Sequence, residues 1–479
     1  MKTQAFNPYL PSYEYIPDAE PYVFGDRIYI YGSHDRFNGE SYCLNDYVCW
    51  SAPLDDLGNW DCEGTIYKPT QDPLNTDGTQ QGFAPDLQQG NDGRYYLYYA
   101  LNRSPIISVA VCDTPAGQYE FYGHVRYSDG TVFGQKSGDV FNFDPGVLVD
   151  DDGRVYLYTG FSPKPGYLRD MLEQSGLMID GAYCVELGPD MLTLKSSPIV
   201  SAPGACTAKA TSFEEHAFYE ASSPRKIGNI YYLIYSSEKS HELCYAVSDR
   251  PDSGYVFGGT IVSNGDVGTH SAGEALNYTG NTHGGIVQIN GEWYVFYHRQ
   301  TNGHHFSRQG CAERIEIMTD GSIAQVEMTS CGLNGGPLTG VGEYEARIAC
   351  NLSGPEGTYE YGKEKDTTGN HPYFTQRGTD REEEGDQYIA NIRDGAWAGY
   401  KYFVFQSEKA ISVRVRGTAS GIFKVSTMFG GEQVAHIKIH PTENWREYSA
   451  PLHILPGEHA LYFRYEGNGS FDFISFRIE

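Results

Sequence analysis

The chain has 479 residues, more than one hydrophobic core usually holds, and its 39 Tyr, 23 Phe and 56 Gly favour strands and tight turns over helices. We therefore expect an all-β protein with two unequal domains. The formal net charge of -27 leaves no basic surface for phosphates, which excludes nucleic acid as a partner.

The N-terminal stretch MKTQAFNPYLPSYEYIPD lacks the apolar segment of an export signal, and no run of about 18 apolar residues could cross a bilayer. The ten cysteines show neither CxxC pairs nor zinc-like spacing, so we expect free thiols in a reducing compartment. The sequence thus predicts a cytoplasmic protein with no membrane partner.

One pattern, a turn followed by a Tyr-rich strand, recurs five times. The copies are VFGDRIYIYGS (23–33), GNDGRYYLYYA (90–100), VDDDGRVYLYTG (149–160), KIGNIYYLIYSS (226–237) and QINGEWYVFYHR (288–299). Their shared tyrosines are Tyr29, Tyr96, Tyr156, Tyr232 and Tyr294, separated by 67, 60, 76 and 62 residues. This spacing accommodates one four-stranded sheet per copy, and sheets repeated around an axis form a β-propeller. We predict a five-bladed β-propeller over residues 1–335, with a β-sandwich of coincidentally similar strands as the disfavoured alternative.

A second, shorter repeat supports the propeller. The segments AVCDTPAGQYEFYGHV (110–125) and AVSDRPDSGYVFGGTIV (246–262) follow the second and fourth copies and resemble each other. They are predicted to form the outer strands of their blades.

A polar residue precedes each shared tyrosine at a similar distance. Asp18, Asp86, Asp144, Glu220 and His283 stand 11, 10, 12, 12 and 11 residues before their tyrosines. Taken singly, each aspartate could begin a turn. Because the first strand of each propeller blade lines the axis, we expect all five side chains to meet at one mouth of the central channel. Carboxylates gathered there would repel one another and raise at least one pKa.

Paired carboxylates that flank a sugar bond are the usual equipment of glycoside hydrolysis. A protonated carboxyl donates to the leaving oxygen, while an ionised one activates water or attacks the sugar. A third carboxylate beside the acid raises the pKa of the acid and orients it. The gathered carboxylates therefore indicate a catalytic site.

The first 330 residues resemble glycoside hydrolase family 43, whose members are five-bladed propellers. The segments that carry the resemblance are DAEPYVF (18–24), DPGVLVDDDGR (144–154) and EASSPRKIGNIYYLIYS (220–236). The resemblance implies that Asp18 is the general base, Glu220 the general acid and Asp144 the residue that modulates the pKa of the acid.

Further positions follow from the same resemblance. The FAPD element (83–86) places Phe83 and Asp86 at the substrate, and Arg308 in HHFSRQGCAERI (304–315) is similar to an arginine that binds substrate. His283 in THGGIV (282–287) resembles a residue near a calcium ion, which it would hold directly or through water.

The family implies an inverting, exo-acting glycoside hydrolase that releases pentoses from arabino- and xylo-oligosaccharides derived from hemicellulose. We expect foremost an α-L-arabinofuranosidase, with β-xylosidase activity in addition. Two alternatives stay open: a non-catalytic, lectin-like propeller, and a retaining fructan-cleaving propeller. The latter would carry a Trp-x-Asn-Asp-Pro-type segment, which YIPDAEP (15–21) lacks.

After the glycine-rich segment CGLNGGPLTG (331–340), strands such as ISVRVRG (411–417), GIFKVSTMF (421–429) and HALYFRYEG (459–467) alternate apolar and polar residues. This alternation predicts a β-sandwich, jelly-roll-like, over residues 341–479. The segment resembles a family 6 carbohydrate-binding module, in which Trp397 and Tyr400 are expected in the core.

Two more expectations concern this C-terminal region. Glu343, Glu345 and Asp472 could hold a structural calcium ion, which prefers oxygen ligands. Residues 354–386 are predicted as a loop that could lie across the propeller mouth and shape the pocket.

Overall fold

The structure is a computed structural model that describes residues 3–269, 273–359, 370–383 and 386–479. Helix in these ranges consists of α1 (Tyr167–Glu173) and single 3₁₀ turns at Pro69–Gln71, Gly332–Asn334 and Ala346–Ile348. None of the helices described is long and apolar enough to span a membrane. The other regular elements are strands in two groups of largely antiparallel sheets, which confirms the all-β prediction.

Five sheets follow one another along the first 315 residues. The first holds β1 (Glu20–Phe24), β2 (Arg27–Tyr31), β3 (Tyr47–Pro53) and β4 (Asp61–Tyr67), and the second β5 (Gly82–Gln89), β6 (Tyr95–Leu101), β7 (Ile107–Cys112) and β8 (Glu120–His124). The third holds β9 (Gly146–Val149), β10 (Val155–Thr159), β11 (Gly181–Leu187) and β12 (Ile199–Pro203). The fourth holds β13 (Phe218–Ile227), β14 (Ile230–Ser237), β15 (Glu242–Ser248) and β16 (Val256–Ser263), and the fifth β17 (Ile286–Ile289), β18 (Glu292–Thr301) and β19 (His304–Ile315).

Each shared tyrosine lies on the second strand of its sheet, and the second repeat forms the outer strands of sheets two and four, as predicted. The first strands contact one another around the axis: β1 touches β5 and β17, while β9 touches β5 and β13. A parallel bridge from Ala19 to Gly284 joins the strand entrances of blades one and five. The five sheets therefore form the blades of a propeller.

Apolar side chains fill the spaces between neighbouring blades. The described chain holds one buried cluster for each neighbouring pair of blades, so five clusters follow the ring. The cluster between blades one and five contains Ile28 and Trp50 from one side and Phe296 and Ala312 from the other. Because each blade buries both faces in this way, the strand ends at the axis are fixed.

The C-terminal strands form two sheets that pack face to face. In chain order they are β20 (Leu338–Thr339), β21 (Gly342–Glu345), β22 (Asn351–Ser353), β23 (Tyr373–Thr375), β24 (Tyr388–Ile392), β25 (Trp397–Phe405), β26 (Ala410–Gly417), β27 (Ser420–Ser426), β28 (Gln433–Ile439), β29 (Thr442–Pro451), β30 (Gly457–Asn468) and β31 (Phe471–Ile478). One sheet joins β20, β22, β25, β27, β28 and β30, and the other joins β21, β23, β24, β26, β29 and β31.

Aromatic side chains dominate the core of this sandwich. Phe463 of one sheet meets Phe476 of the other with ring centroids 5.2 Å apart, and both are buried. Burying one such ring contributes about 1.5–3 kcal/mol. Tyr400 is 0% exposed and belongs to this core, as expected, whereas Trp397, although only 5% exposed, packs on Phe429 and Tyr462 beside a surface groove and lies outside the core cluster. All ten cysteines are unpaired, as predicted.

A buried ion-pair cluster joins the sandwich to the propeller. Nζ of Lys401, on β25, lies 2.8 Å from Oδ2 of Asp266 and 2.9 Å from Oε2 of Glu327. Both acidic residues belong to segments that follow propeller strands, and Lys401 is 1% exposed. Removing this lysine would leave Asp266 buried without its counter-charge.

We expect Lys401→Ala to lower the free energy of unfolding by about 3–5 kcal/mol, because breaking a buried ion pair leaves one buried charge without its partner. The matched control is Lys424→Ala, which breaks a partly exposed pair with Glu466 and should cost about 0–1 kcal/mol. Urea unfolding followed by tryptophan fluorescence measures both. Equal losses for the two variants would contradict this account of the domain junction.

Candidate active site

A cavity of about 220 Å³ lies at one mouth of the propeller channel. Six of the residues singled out in the sequence line it: Asp18, Phe83, Asp144, Glu220, His283 and Arg308. A larger groove, of about 650 Å³, contains none of them. The structure therefore brings the expected acid, base and modulator together in one small enclosed space.

Strand register places the channel residues at two levels. The residues that pair with the shared tyrosines are Tyr22, Gln88, Leu148, Arg225 and Val287. Asp18, Asp144 and His283 each stand four residues ahead of these positions. Glu220 stands five ahead, because the register is irregular between Glu220 and Ser223. The upper tier, which lines the cavity, comprises Asp18, Ala84, Asp144, Glu220 and His283.

Asp86 belongs to a lower tier. It stands two residues ahead of Gln88, as Glu20 stands two ahead of Tyr22. Its carboxylate accepts hydrogen bonds from the Tyr22 hydroxyl (2.6 Å) and from the backbone N–H of Leu87 (2.8 Å) and Val147 (2.7 Å). The structure thus corrects the expectation that all five polar residues share one level, and it does not bring Asp86 to the cavity.

Left-handed backbone conformations concentrate at the cavity. Asp18 and Asp144 have φ of 57° and 44°, and Ala84 and Ala221 have φ of 27° and 71°. Such conformations cost of order 1–3 kcal/mol each and persist where the surroundings impose them. At Ala221 the turn directs the backbone N–H onto Oδ2 of Asp144, 3.1 Å away. The strained turns therefore aim the carboxylates and their donors into the cavity.

Asp18 is held as a carboxylate. Burial by itself would raise the pKa of Asp18, but the positive charge of Arg308, together with smaller contributions from His298, His283 and Ser33, outweighs burial, and the pKa lies below its ordinary value. Nη1 of Arg308 donates to Oδ1 of Asp18 at 3.1 Å. His298, which the sequence analysis missed, accepts the backbone N–H of Asp18 on Nδ1 (3.2 Å). Burial lowers the pKa of His298 to about 3, so this imidazole is neutral.

The pKa values of Glu220 and Asp144 are raised instead. Burial, followed by the negative charges of Asp144 and Asp18, raises the pKa of Glu220 well above its ordinary value. Burial also raises the pKa of Asp144 to about 7. The two carboxyls titrate as a coupled pair, so at neutral pH a proton is available beside the cavity.

His283 joins the two tiers. Its Nδ1 lies 3.7 Å from Oδ2 of Asp144, and its Nε2 lies 3.6 Å from Oε1 of Glu20. Burial alone would lower the pKa of His283, but the contact with Glu20 and the charges of Asp144 and Asp18 raise it to about 9. His283 therefore carries a positive charge at neutral pH.

Glu20 and Arg225 form a buried ion pair below the cavity, which sequence reasoning also missed. Nη2 of Arg225 donates to Oε2 of Glu20 at 2.6 Å, and the hydroxyl of Ser223 donates to the same oxygen at 2.9 Å. A side chain at position 285 would collide with them, because a Cβ on Gly285 would lie 2.5 Å from Oε2 of Glu20. The lower tier therefore forms a packed floor to the cavity.

Five aromatic rings form a collar around the cavity, of which the sequence indicated only Phe83. Tyr42, Phe83, Phe143, Phe161 and Tyr219 follow one another with centroid distances of 6.4, 5.9, 5.1 and 5.3 Å. All five line the cavity. Aromatic rings pack well on the apolar faces of flat ring-shaped ligands, so the collar suits such a ligand.

The predicted calcium ligands of the sandwich are not brought together. Glu343 pairs with Arg477 at 2.8 Å, Glu345 with Arg347, and Asp472 with Arg416 at 3.0 Å. Each carboxylate already has an arginine as its counter-charge. The structure gives no support to a calcium site formed by these three residues.

Among the residues that the structure describes, His216, Glu242 and Cys244 form a group whose ligand atoms lie within 4.8 Å of one another. The carboxylate of Glu242 is occupied, because Oε2 lies 2.8 Å from Nδ1 of His216 and accepts from the hydroxyl of Ser237 (2.9 Å). Nζ of Lys239 also lies 3.5 Å from Oε1 of Glu242. The group is therefore accounted for without a metal ion.

The cavity thus offers one carboxyl that is kept ionised and another that is kept protonated. Groups whose pKa values are driven apart in this way serve as base and acid in the same reaction. The arrangement can protonate a leaving oxygen and activate a water molecule.

The family model described as glycosyl hydrolases family 43 matches residues 12–323. A xylosidase/arabinosidase of Thermoclostridium stercorarium is 54% identical over 487 residues, covering 100% of this chain and 99% of its own. The crystal structure of a family 43 arabinoxylan arabinofuranohydrolase from Bacillus subtilis, in complex with cellotetraose, superposes with a TM-score of 0.52 at 21% identity, covering 98% of this chain and 97% of that one.

A third similar protein is a family 43 β-xylosidase/α-arabinofuranosidase from a compost microbial metagenome, whose structure with xylotriose is described as a calcium-free form. It covers 68% of this chain and 98% of its own, with a TM-score of 0.51 at 23% identity. The family match and the full-length relative lead to one conclusion: the chain belongs to glycoside hydrolase family 43.

Proposed function

We propose that the protein is an inverting, exo-acting glycoside hydrolase that releases pentoses from arabino- and xylo-oligosaccharides, as an α-L-arabinofuranosidase with β-xylosidase activity in addition. The observation that carries this proposal is the single cavity in which Asp18 is held ionised while Glu220 is held protonated. Membership of family 43 and the 54% identical xylosidase/arabinosidase support the same chemistry.

In the proposed reaction, Glu220 donates its proton to the glycosidic oxygen as the bond from that oxygen to the anomeric carbon breaks. Asp18 takes a proton from a water molecule, whose oxygen forms the new bond at the opposite face of the sugar. The proton lost by Glu220 and the proton gained by Asp18 balance, and solvent returns both groups to their starting states. Inversion needs room for that water, with carboxyl groups about 6.5–9.5 Å apart.

Asp144 and Arg308 act on this pair. Asp144 accepts the N–H of Ala221, the residue after the acid, and its charge raises the pKa of Glu220. Arg308 keeps Asp18 ionised through its hydrogen bond at 3.1 Å. Both contacts maintain the protonation states that the first step requires.

The size of the cavity supports an exo-acting, monosaccharide-releasing mode. Its volume of about 220 Å³ is below the ~300–1,000 Å³ typical of pockets for larger ligands. One sugar ring fits inside the aromatic collar, and the rest of the oligosaccharide must lie outside. A lectin-like propeller, the alternative from the sequence, would not need an acid and a base at opposed protonation states.

A calcium ion in the channel is a finer proposal. Two buried atoms there, Nε2 of His283 and Oε1 of Glu20, have no hydrogen-bond partner. Ca²⁺ takes about six to eight oxygen ligands, and these residues do not supply that number directly. The residues therefore fit only an ion held mainly through water, and no catalytic step depends on it.

The identity of the C-terminal region as a family 6 carbohydrate-binding module is likewise kept as a proposal, supported by its two packed six-stranded sheets. The cytoplasmic location stays a prediction from the sequence.

We expect Glu220→Gln to lower kcat on xylobiose and on arabinosylated xylo-oligosaccharides by about 10²–10⁴-fold, because the leaving oxygen loses its proton donor. The loss should be smaller on p-nitrophenyl pentosides, whose leaving group needs less protonation. Glu343→Gln, which changes an exposed glutamate of the sandwich, is the control and should keep wild-type rates. Wild-type rates for Glu220→Gln would refute the role of this residue.

Asp144→Asn should move the alkaline limb of the pH profile of kcat/KM to lower pH. The acid must be protonated, so activity falls as pH rises through the pKa of the Glu220–Asp144 pair. Removing the negative charge of Asp144 lowers the pKa of Glu220, so activity begins to fall at a lower pH. Profiles of wild type and of the exposed Asp113→Asn variant should coincide. An unchanged alkaline limb in Asp144→Asn would contradict the assigned coupling.

Proton NMR of the first product should show inversion. A β-xyloside substrate is expected to give α-xylose before mutarotation mixes the anomers, since water attacks the face opposite the leaving group. Initial release of β-xylose would rule out the water-activating role of Asp18. A wild-type protein that binds these oligosaccharides but hydrolyses none of them would establish the lectin-like alternative.

A further inference from the structure

The base side of the cavity is built from two loops. Tyr42 and Cys43 lie on the loop between β2 and β3, residues 32–46, called here the blade-one loop. Arg308 lies on β19, six residues after the turn at Asn302 that joins β18 to β19. Neither the blade-one loop nor this turn is held by a sheet on both sides, so other contacts must fix them.

Asp380, from the sandwich region, holds the blade-one loop at two points. Its Oδ1 accepts the backbone N–H of Phe37 at 2.7 Å, and its Oδ2 accepts Nδ2 of Asn45 at 2.9 Å. Phe37 and Asn45 lie on either side of Tyr42 and Cys43. One carboxylate therefore spans the part of the loop that lines the cavity.

The same sandwich segment, residues 373–383, holds the β18–β19 turn. The backbone N–H of Asn302 donates to the carbonyl of Phe374 (2.7 Å), and the hydroxyl of Thr375 donates to Oδ1 of Asn302 (2.7 Å). Nδ2 of Asn302 then donates to Oδ1 of Asn38 on the blade-one loop (3.1 Å). The two loops and the sandwich thus form one hydrogen-bonded unit.

This unit reaches the base through Asp35. The carboxylate of Asp35 accepts the backbone N–H of Cys43 (3.0 Å) and two hydrogen bonds from the guanidinium of Arg308 (2.9 and 3.0 Å). Arg308 in turn donates to Asp18. A shift of the blade-one loop would therefore move the arginine that faces the base.

We propose that Asp380 and Thr375 of the C-terminal region are positioning residues for hydrolysis, which act through the blade-one loop and the β18–β19 turn to hold Tyr42 and Arg308 at the bound sugar. This inference rests on the proposed function. It extends that function by making the sandwich a support for two loops of the proposed pentose-binding cavity. The sequence had predicted all of 354–386 as a loop that could lie across the mouth; the structure instead places strand β23 (Tyr373–Thr375) within it, and residues 360–369 and 384–385 lie outside the described ranges.

The experiment compares Asp380→Ala with Asp380→Asn in the full-length protein. The alanine removes both acceptors, while the asparagine keeps one for the N–H of Phe37. A displacement of about 1 Å in a substrate-positioning group can cost up to 10²-fold, so we expect Asp380→Ala to lower kcat/KM on p-nitrophenyl α-L-arabinofuranoside and β-D-xyloside by about 10- to 100-fold. The change should appear mainly as a higher KM, and Asp380→Asn should recover part of it.

The matched control is Asp394→Ala. Asp394 is an exposed aspartate of the sandwich that accepts the backbone N–H of Gly467 at 3.0 Å. The Asp394→Ala variant should keep the wild-type KM. Thr375→Val, which preserves shape but removes the hydroxyl, should raise KM in the same direction as Asp380→Ala. Thermal midpoints of all variants, with assays run well below them, separate a loss of folded protein from a loss of positioning.

Equal KM and kcat values for Asp380→Ala and Asp394→Ala would overturn the inference, and so would a fall in kcat/KM explained wholly by the fraction unfolded. An inactive wild type would instead count against the proposed function. The two failures are therefore distinguishable in one data set.

Discussion

The structure depends on confining several carboxyls to one buried channel. Asp18, Glu20, Asp86, Asp144 and Glu220 are all held there, and the positive groups that face them are Arg225, Arg308 and the imidazolium of His283. Arg308 is also shared with Asp35. Negative charge would exceed positive charge if every carboxyl were ionised, and burial makes that excess costly.

The distribution of pKa values follows from this excess. Asp18 and Glu20 each touch an arginine, and their pKa values fall below the ordinary range. Asp144 and Glu220 have no arginine contact among the described ion pairs, and their pKa values are raised. The proposed base and the proposed acid are thus distinguished by which carboxyl an arginine reaches, since both start as ordinary buried carboxyls.

The sequence predicted the blades and the upper tier because each depends on local pattern. Counting back from a shared tyrosine located Asp18, Asp144, Glu220 and His283 correctly at the cavity. The same count misplaced Asp86 for two reasons. The turn between the first two strands of a blade has two residues in three blades and five residues in the other two. In addition, the register of the second blade is irregular between Phe83 and Asp86. Differences in hairpin length and bulges shift a residue along the channel, while its distance in sequence from the shared tyrosine changes by only one or two residues.

The aromatic collar and the Glu20–Arg225 pair could not be predicted, because their members come from different blades and carry no shared spacing. Glu20 stands two residues after Asp18 in DAEP, and nothing local distinguishes it from a turn residue. Its role follows only once Arg225 arrives from the fourth blade. Contacts of this kind are set by ring closure, and the local sequence pattern within one blade does not reveal them.

The two sides of the cavity are stabilised differently, and this difference is the basis of the role proposed for the sandwich. On the acid side, Glu220 lies within β13, and Phe161 packs on both Phe143 and Tyr219, so the propeller fixes that wall by itself. On the side of Asp18, the blade-one loop is held by Ser307 and Asp35 of the propeller together with Asp380 of the sandwich. The fold therefore places Glu220 through its strand ladders, and it places the surroundings of Asp18 through propeller contacts and the interface with the sandwich.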